Sequence, residues 1–191
     1  MSNTKEQTRR VALGAIFAAI VIVLQFVSMS LRFGTFSITL VLVPIVLGSA
    51  LCGFKVGGFL GLIFGAIVLL SGDAAPFLAV NVWGTVTTVL LKGMLCGLAA
   101  GLVYAALKEK NQYLAVFLAA IVCPIVNTGV FLLGCLVFFM DTITQWGAGL
   151  GFENVGAYMI YGLVGINFVI EIVVNIVLAP VILRVLKIIK K

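Results

Sequence analysis

From Val11 to Met29 the chain carries no charged residue and is almost entirely apolar. A helix of that length, at 1.5 Å per residue, is enough to cross a hydrocarbon core ~30 Å thick. Similar apolar stretches recur to the end of the chain, separated by short polar breaks. Inside lipid there is no water to bond backbone N–H and C=O groups. Each stretch must therefore satisfy its own backbone as a helix. The composition agrees. Only 9% of the residues are charged and 63% are hydrophobic, whereas a soluble domain is roughly 25% charged. The sequence thus predicts an all-α integral membrane protein. It forms a single membrane domain over residues 1–191, with six transmembrane helices at about 11–29, 37–51, 56–70, 80–107, 113–140 and 158–185.

A signal peptide would have a shorter apolar core and a small-residue cleavage site. The first run is therefore read as a retained helix. Orientation follows from lysine and arginine. With the N-terminus inside and six spans, Lys5, Arg9, Arg10, Lys55, Lys108, Lys110, Arg184, Lys187, Lys190 and Lys191 all fall on the inner side. Arg32 is left outside and Lys92 within a span. The positive-inside rule then predicts that both termini are cytoplasmic. The net charge of +6 reflects this orientation and does not indicate a nucleic-acid partner.

Several function classes are excluded. There is no histidine, so imidazole catalysis and histidine–metal ligation are absent. Cys52, Cys96, Cys123 and Cys135 lie singly in apolar runs and read as small buried hydrophobes. No GxxxxGK[ST], HExxH or GxSxG motif occurs. No metal or cofactor is expected, and the chain does not read as an enzyme.

Small residues mark packing faces. Gly57, Gly61 and Gly65 form a tandem GxxxG ridge on the third helix. Gly93, Gly97 and Gly101 form a second ridge on the fourth. Ala12, Ala15 and Ala19 give the first helix a face that another helix can approach closely. Pro44 is expected to kink the second helix.

The polar residues inside the spans form a pattern of their own. Asn81, Thr85, Thr88 and Lys92 follow one face of the fourth helix. Asn167, Glu171 and Asn175 sit four residues apart on the sixth, and so share a face. Counted from the outer helix ends, Lys92 and Glu171 lie roughly 16 Å deep and Asn127 roughly 18 Å. A cation, an anion and an amide therefore reach one layer near mid-membrane. An intramembrane charge is costly and marks a functional site by default. Two readings stay open. One is an ion pair between Lys92 and Glu171 that serves only packing. The other is the polar floor of a cavity that opens outward. Trp83, Trp146, Tyr158 and Tyr161 near the outer surface fit ligand stacking or an interfacial aromatic belt.

Five segments carry a resemblance to a known family: Arg10–Ala19 (RVALGAIFAA), Ser37–Gly48 (SITLVLVPIVLG), Gly53–Gly65 (GFKVGGFLGLIFG), Pro124–Phe131 (PIVNTGVF) and Asn167–Pro180. Together with six helices in a chain of this length, they make it similar to the substrate-binding S components of energy-coupling factor (ECF) vitamin transporters. The resemblance implies high-affinity capture of a vitamin from outside, in the bacterial cell membrane. It implies docking on a membrane T component coupled to two cytoplasmic ATPases, with Ala12, Ala15 and Ala19 as the docking face. Toppling of the subunit would then release substrate inside. The family's pockets lie in the outer half, where the polar layer was placed. The substrate-binding candidates are Asn81, Thr85, Thr88, Lys92, Asn127, Trp146, Asn167 and Glu171. A cation among amides and hydroxyls favours pantothenate. Lipoate also has a carboxylate, and riboflavin, pyridoxine, folate, cobalamin and queuosine precursors stay open. A stand-alone proton-coupled transporter and a non-transport membrane scaffold are the alternative functions.

Overall fold

Helix length and burial divide the apolar runs into two kinds. The computed structural model describes residues 2–30, 32–33, 36–37 and 40–189. Long helices are α1 (Ser2–Ser30), α5 (Val82–Leu107), α6 (Gln112–Phe138) and α9 (Gly165–Ile189). Between α1 and α5 lie two shorter ones, α2 (Leu42–Cys52) and α3 (Phe54–Leu70). Among the described residues four spans are long and apolar enough to cross a membrane: Thr4–Ser28, Val82–Leu107, Gln112–Phe138 and Val155–Ile189. Among the described residues the regular elements are all helical apart from one two-residue strand pair, β1 (Arg32–Phe33) antiparallel to β2 (Phe36–Ser37).

That pair corrects the expected second helix. Ser37 pairs with Arg32 in a strand, and helix begins only at Leu42. Phe33 and Phe36 of the strand pair are aromatic, a residue type that favours extended backbone. Ile38 and Thr39, also expected in the helix, lie outside the described residues, as do Lys190 and Lys191 of the basic tail. Pro44 falls in the first turn of α2. There its missing N–H would have had no intrahelical partner, so it starts the helix and does not kink it. α2 is too short to span, and most of its length is buried, including Leu42, Ile45 and Val46. It packs against α1, α3, α5, α6 and α9, so its short length is screened from lipid by protein.

Gly53, at φ 100°, turns α2 into α3; few residues other than glycine accept that angle. α3 then runs along α5 at backbone contact. A Cβ on Gly61 would overlap the Gly93 carbonyl oxygen, and one on Gly57 would lie 2.6 Å from the Gly97 oxygen. The two glycine ridges read from the sequence are therefore each other's partners. α6 lies against the other side of α5, where Gly134 leaves room only for the Thr88 side chain.

The gap at 141–157, left between the fifth and sixth expected helices, is largely helical. α4 (Ala75–Leu78) precedes α5, and α7 (Met140–Gly149) and α8 (Val155–Ala157) follow α6. α7 has Ile143 and Gly147 on its buried side and Asp141, Thr144 and Gln145 exposed. That pattern is a short amphipathic helix lying across the bundle end. Tyr158–Val164 winds as a π-helical segment. Gly165, at φ 40°, then opens α9.

The glycine seam gives a stability test. Gly61→Ala forces the α3 and α5 backbones apart and should lower stability by about 1–3 kcal/mol or more. Gly129 on α6 has open space around its Cβ position. Gly129→Ala should be neutral or stabilising by up to about 1 kcal/mol. Thermal unfolding of the two purified variants in detergent measures the contrast.

Candidate binding site

A cavity of about 280 Å³ opens within the half of the bundle that carries α4 and α7. Pockets for small ligands run from about 300 Å³ upward, so this one suits a compact molecule. Its deep end holds Lys92 from α5, Asn127 from α6 and Glu171 from α9. Thr85 and Thr88 lead down α5 to Lys92, and Asn167 stands one turn from Glu171. The structure thus brings together six of the residues singled out in the sequence.

The remaining two lie elsewhere. Asn81 is the N-cap of α5, where its Oδ1 accepts from Gly84 N at 2.9 Å. Trp146 is not among the lining residues; it stands edge-on to Phe77 at 5.4 Å. Trp83 and Tyr161 are exposed, while Tyr158 is buried.

Lys92 is held by aromatic faces. Its Nζ lies 5.2 Å from the Phe131 ring centre and 5.8 Å from that of Phe64. These are cation–π distances, and such contacts gain strength where water is scarce. Glu171 lines the same cavity as Lys92. Asn175, fully buried, donates from Nδ2 to the Glu171 backbone oxygen at 2.8 Å. It therefore stiffens the α9 turn below the cavity and does not line it.

Two polar atoms on lining residues are left over. Thr88 Oγ1 and Asn127 Oδ1 are buried with no hydrogen-bond partner among the described residues. A buried polar atom without a partner costs about 1–3 kcal/mol. Folding alone gives no return for that cost, whereas a polar ligand in the cavity would.

Sequence reasoning missed several lining residues: Gln25 on α1, Phe64 on α3, Asp73 and Phe77 around α4, and Phe131 on α6. Phe77 is the centre of an aromatic cluster, edge-on to Phe131 at 5.5 Å and Phe139 at 5.1 Å. This cluster walls the cavity toward the α4 end. Gln25 was legible as an isolated amide in an apolar helix, and Asp73 as an acid in a short loop. Their meeting was not.

Residues 9–183 match the family of ECF transporter substrate-specific components. The chain belongs to that family. One relative is the pantothenic acid transporter PanT of Lactococcus lactis subsp. cremoris (strain MG1363). It is 27% identical over 196 residues, covering 93% of this chain and 93% of the relative. No solved structure matches the chain significantly. As an ECF substrate-specific component, the protein is a multi-pass membrane transport subunit for vitamin uptake and not an enzyme.

The orphaned hydroxyl gives the test. Thr88→Val keeps the shape and removes the polar atom, so the ligand-free protein should gain up to about 1 kcal/mol of stability. A fall in the midpoint of thermal unfolding would mean that the hydroxyl is bonded within the fold.

Proposed function

We propose that the chain is the binding subunit for pantothenate in a bacterial uptake system. The observation that carries this is a cation at the deep end of a small cavity, beside a hydroxyl and an amide with unused hydrogen-bonding capacity. Pantothenate is a small anion with a carboxylate, an amide and two hydroxyls. Its carboxylate is assigned to Lys92, and its amide to Asn127, Asn167 and Thr88. Glu171 orients Lys92 or accepts from the ligand. Thr85 borders the path inward. Asn81 fixes where α5 starts, and Trp146 backs Phe77. The name of the Lactococcus relative supports the same ligand.

The whole chain acts as one membrane domain with six membrane-embedded helices and both termini in the cytoplasm, as its basic residues favour. The cavity then opens to the outside. Ala12, Ala15 and Ala19 are exposed on α1, whereas Phe17 and Val21 face the core. That small-residue face suits close approach by another membrane helix. The reading assigns it to the T component, whose two cytoplasmic ATPases supply the energy.

Binding is tested with the purified chain in lipid nanodiscs, by calorimetry with pantothenate and with panthenol, its neutral alcohol analogue. A charge-assisted hydrogen bond is worth about 1.5–3 kcal/mol, or roughly 10–100-fold in affinity. Panthenol should bind weaker by that factor. Lys92→Ala should lose the same factor for pantothenate and little for panthenol. Equal binding of both ligands by the unaltered chain would refute the assignment of the carboxylate to Lys92.

Docking is tested separately. Ala15→Arg should leave pantothenate affinity unchanged and abolish uptake into cells. Normal uptake by that variant would remove α1 from the docking role. Uptake by the purified chain alone, driven by a proton gradient without ATP, would instead establish a stand-alone transporter.

A further inference from the structure

A second cavity, of about 390 Å³, lies at the end of the bundle away from α4 and α7. It is ringed by the start of α1, the α2–α3 turn at Gly53, the end of α5 at Lys108 and the end of α9 at Ile189. Lys108 stands about 24 Å along α5 from Lys92, so this space is separate from the first cavity. Its lining is of two kinds. Leu13 and Leu51 are apolar, whereas Arg9, Arg10 and Lys108 bring three cations against the carboxylate of Glu6.

The contacts these cations make leave the cavity positive. Arg9 donates from Nη2 to the Ile189 backbone oxygen. That oxygen is uncharged, and at the end of α9 its own helix offers it no partner. Arg10 pairs with Glu6 at 2.9 Å, but both side chains are more than half exposed, at 56% and 63%. Lys108 approaches the outward-facing Glu109 at 3.6 Å. Exposed pairs of this kind hold weakly and exchange readily with other partners. A guanidinium carries five N–H donors, and one oxygen takes up only part of that capacity. Even with Glu109 counted, cations outnumber carboxylates here.

The level of the cavity in the membrane follows from α1. Arg10 is the last charged residue of that helix, and Val11 begins a row of exposed apolar residues that includes Ile16 and Ile20. In a membrane-embedded chain, that step from charge to apolar surface marks the boundary between headgroups and hydrocarbon. Arg9 and Arg10 lie just on the headgroup side of it and Leu13 just on the hydrocarbon side. Basic pockets between membrane helices at this level take anionic lipid headgroups. A phosphate would meet the cations, and the first methylenes of an acyl chain would meet Leu13 and Leu51. A soluble phosphate compound would use the cations and leave the apolar lining without a partner.

We propose that this cavity is a binding site for the phosphate headgroup of an anionic phospholipid, held by Arg10 and Lys108, with Arg9 fixed beside them by its bond to Ile189.

Native mass spectrometry of the detergent-purified full chain tests this, with phosphatidylglycerol and zwitterionic phosphatidylcholine titrated in turn. Each basic residue at a membrane surface strengthens anionic-lipid binding roughly fivefold. Wild type should therefore prefer phosphatidylglycerol by about 25-fold if two cations engage it. Arg10→Gln combined with Lys108→Gln should abolish that preference and change phosphatidylcholine binding less than about threefold. Lys55→Gln combined with Lys110→Gln removes the same charge from residues that do not line the cavity, and should keep the preference. If the Arg10 and Lys108 double variant does not fold, Lys108→Gln against Lys110→Gln carries the same comparison. Equal binding of the two lipids by wild type would overturn the inference. So would equal losses in the two double variants, which would trace the preference to diffuse surface charge. Displacement of bound phosphatidylglycerol by an equal concentration of glycerol phosphate would make this a site for a soluble phosphate compound and overturn the lipid assignment. None of these readouts involves the ligand of the first cavity.

Discussion

The backbone contact between α3 and α5 sets the geometry on which the cavity depends. Gly57, Gly61 and Gly65 meet Gly97, Gly93 and Val89 with no side chain between them. In a bilayer, apolar side chains gain little by leaving lipid for protein, so close van der Waals packing must hold helices together. The glycine seam supplies that packing. It also fixes the register that brings Phe64 of α3 beside Lys92 of α5. With bulkier residues along the seam, α3 would stand off and Lys92 would lose one of its two rings.

The second constraint is electrostatic. A lysine within a membrane-spanning helix needs surroundings that offset the loss of water. Here two aromatic faces lie against it, and Glu171 lines the same cavity. These groups come from α3, α6 and α9, so the cation is stabilised only once the helices assemble. The ammonium keeps contact with the cavity, which lets the same charge serve a ligand. The π-helical turn before Gly165 belongs to this arrangement. A wider turn shifts the residues that follow it around the helix. Leu163 and Val164 within it, and Asn167 just after it, all line the cavity.

Much of this was legible beforehand, and the failures have a common cause. The long helices follow from apolar length, and both glycine ridges from their four-residue spacing. Lys92, Asn127 and Glu171 were placed in one layer by counting residues at a fixed rise. The errors fall where local signals compete. Ser37 follows Phe36, whose aromatic ring favours the extended backbone of the strand pair over the helix that the hydropathy suggests. Pro44 was read for its effect within a helix, but its position relative to the helix start decided its role. α7 was taken for a loop because glycine and polar residues hide a single buried stripe. Asn81 and Trp146 were placed by type and neighbourhood. The fold uses one as a cap and the other as backing for Phe77.

The sequence by itself determined that the chain is helical and membrane-embedded, with small-residue faces and a buried layer of charge and amide. Those properties depend on hydropathy, spacing and the fixed rise of a helix, all of which are local. Only the tertiary structure decided that α2 is screened from lipid, that the glycine ridges meet each other, and that phenylalanines hold Lys92. It alone joined Gln25 to Asp73 across α1 and the α3–α4 connection. Contacts between residues far apart in the chain depend on which helix faces turn toward one another, and no local repeat encodes that choice.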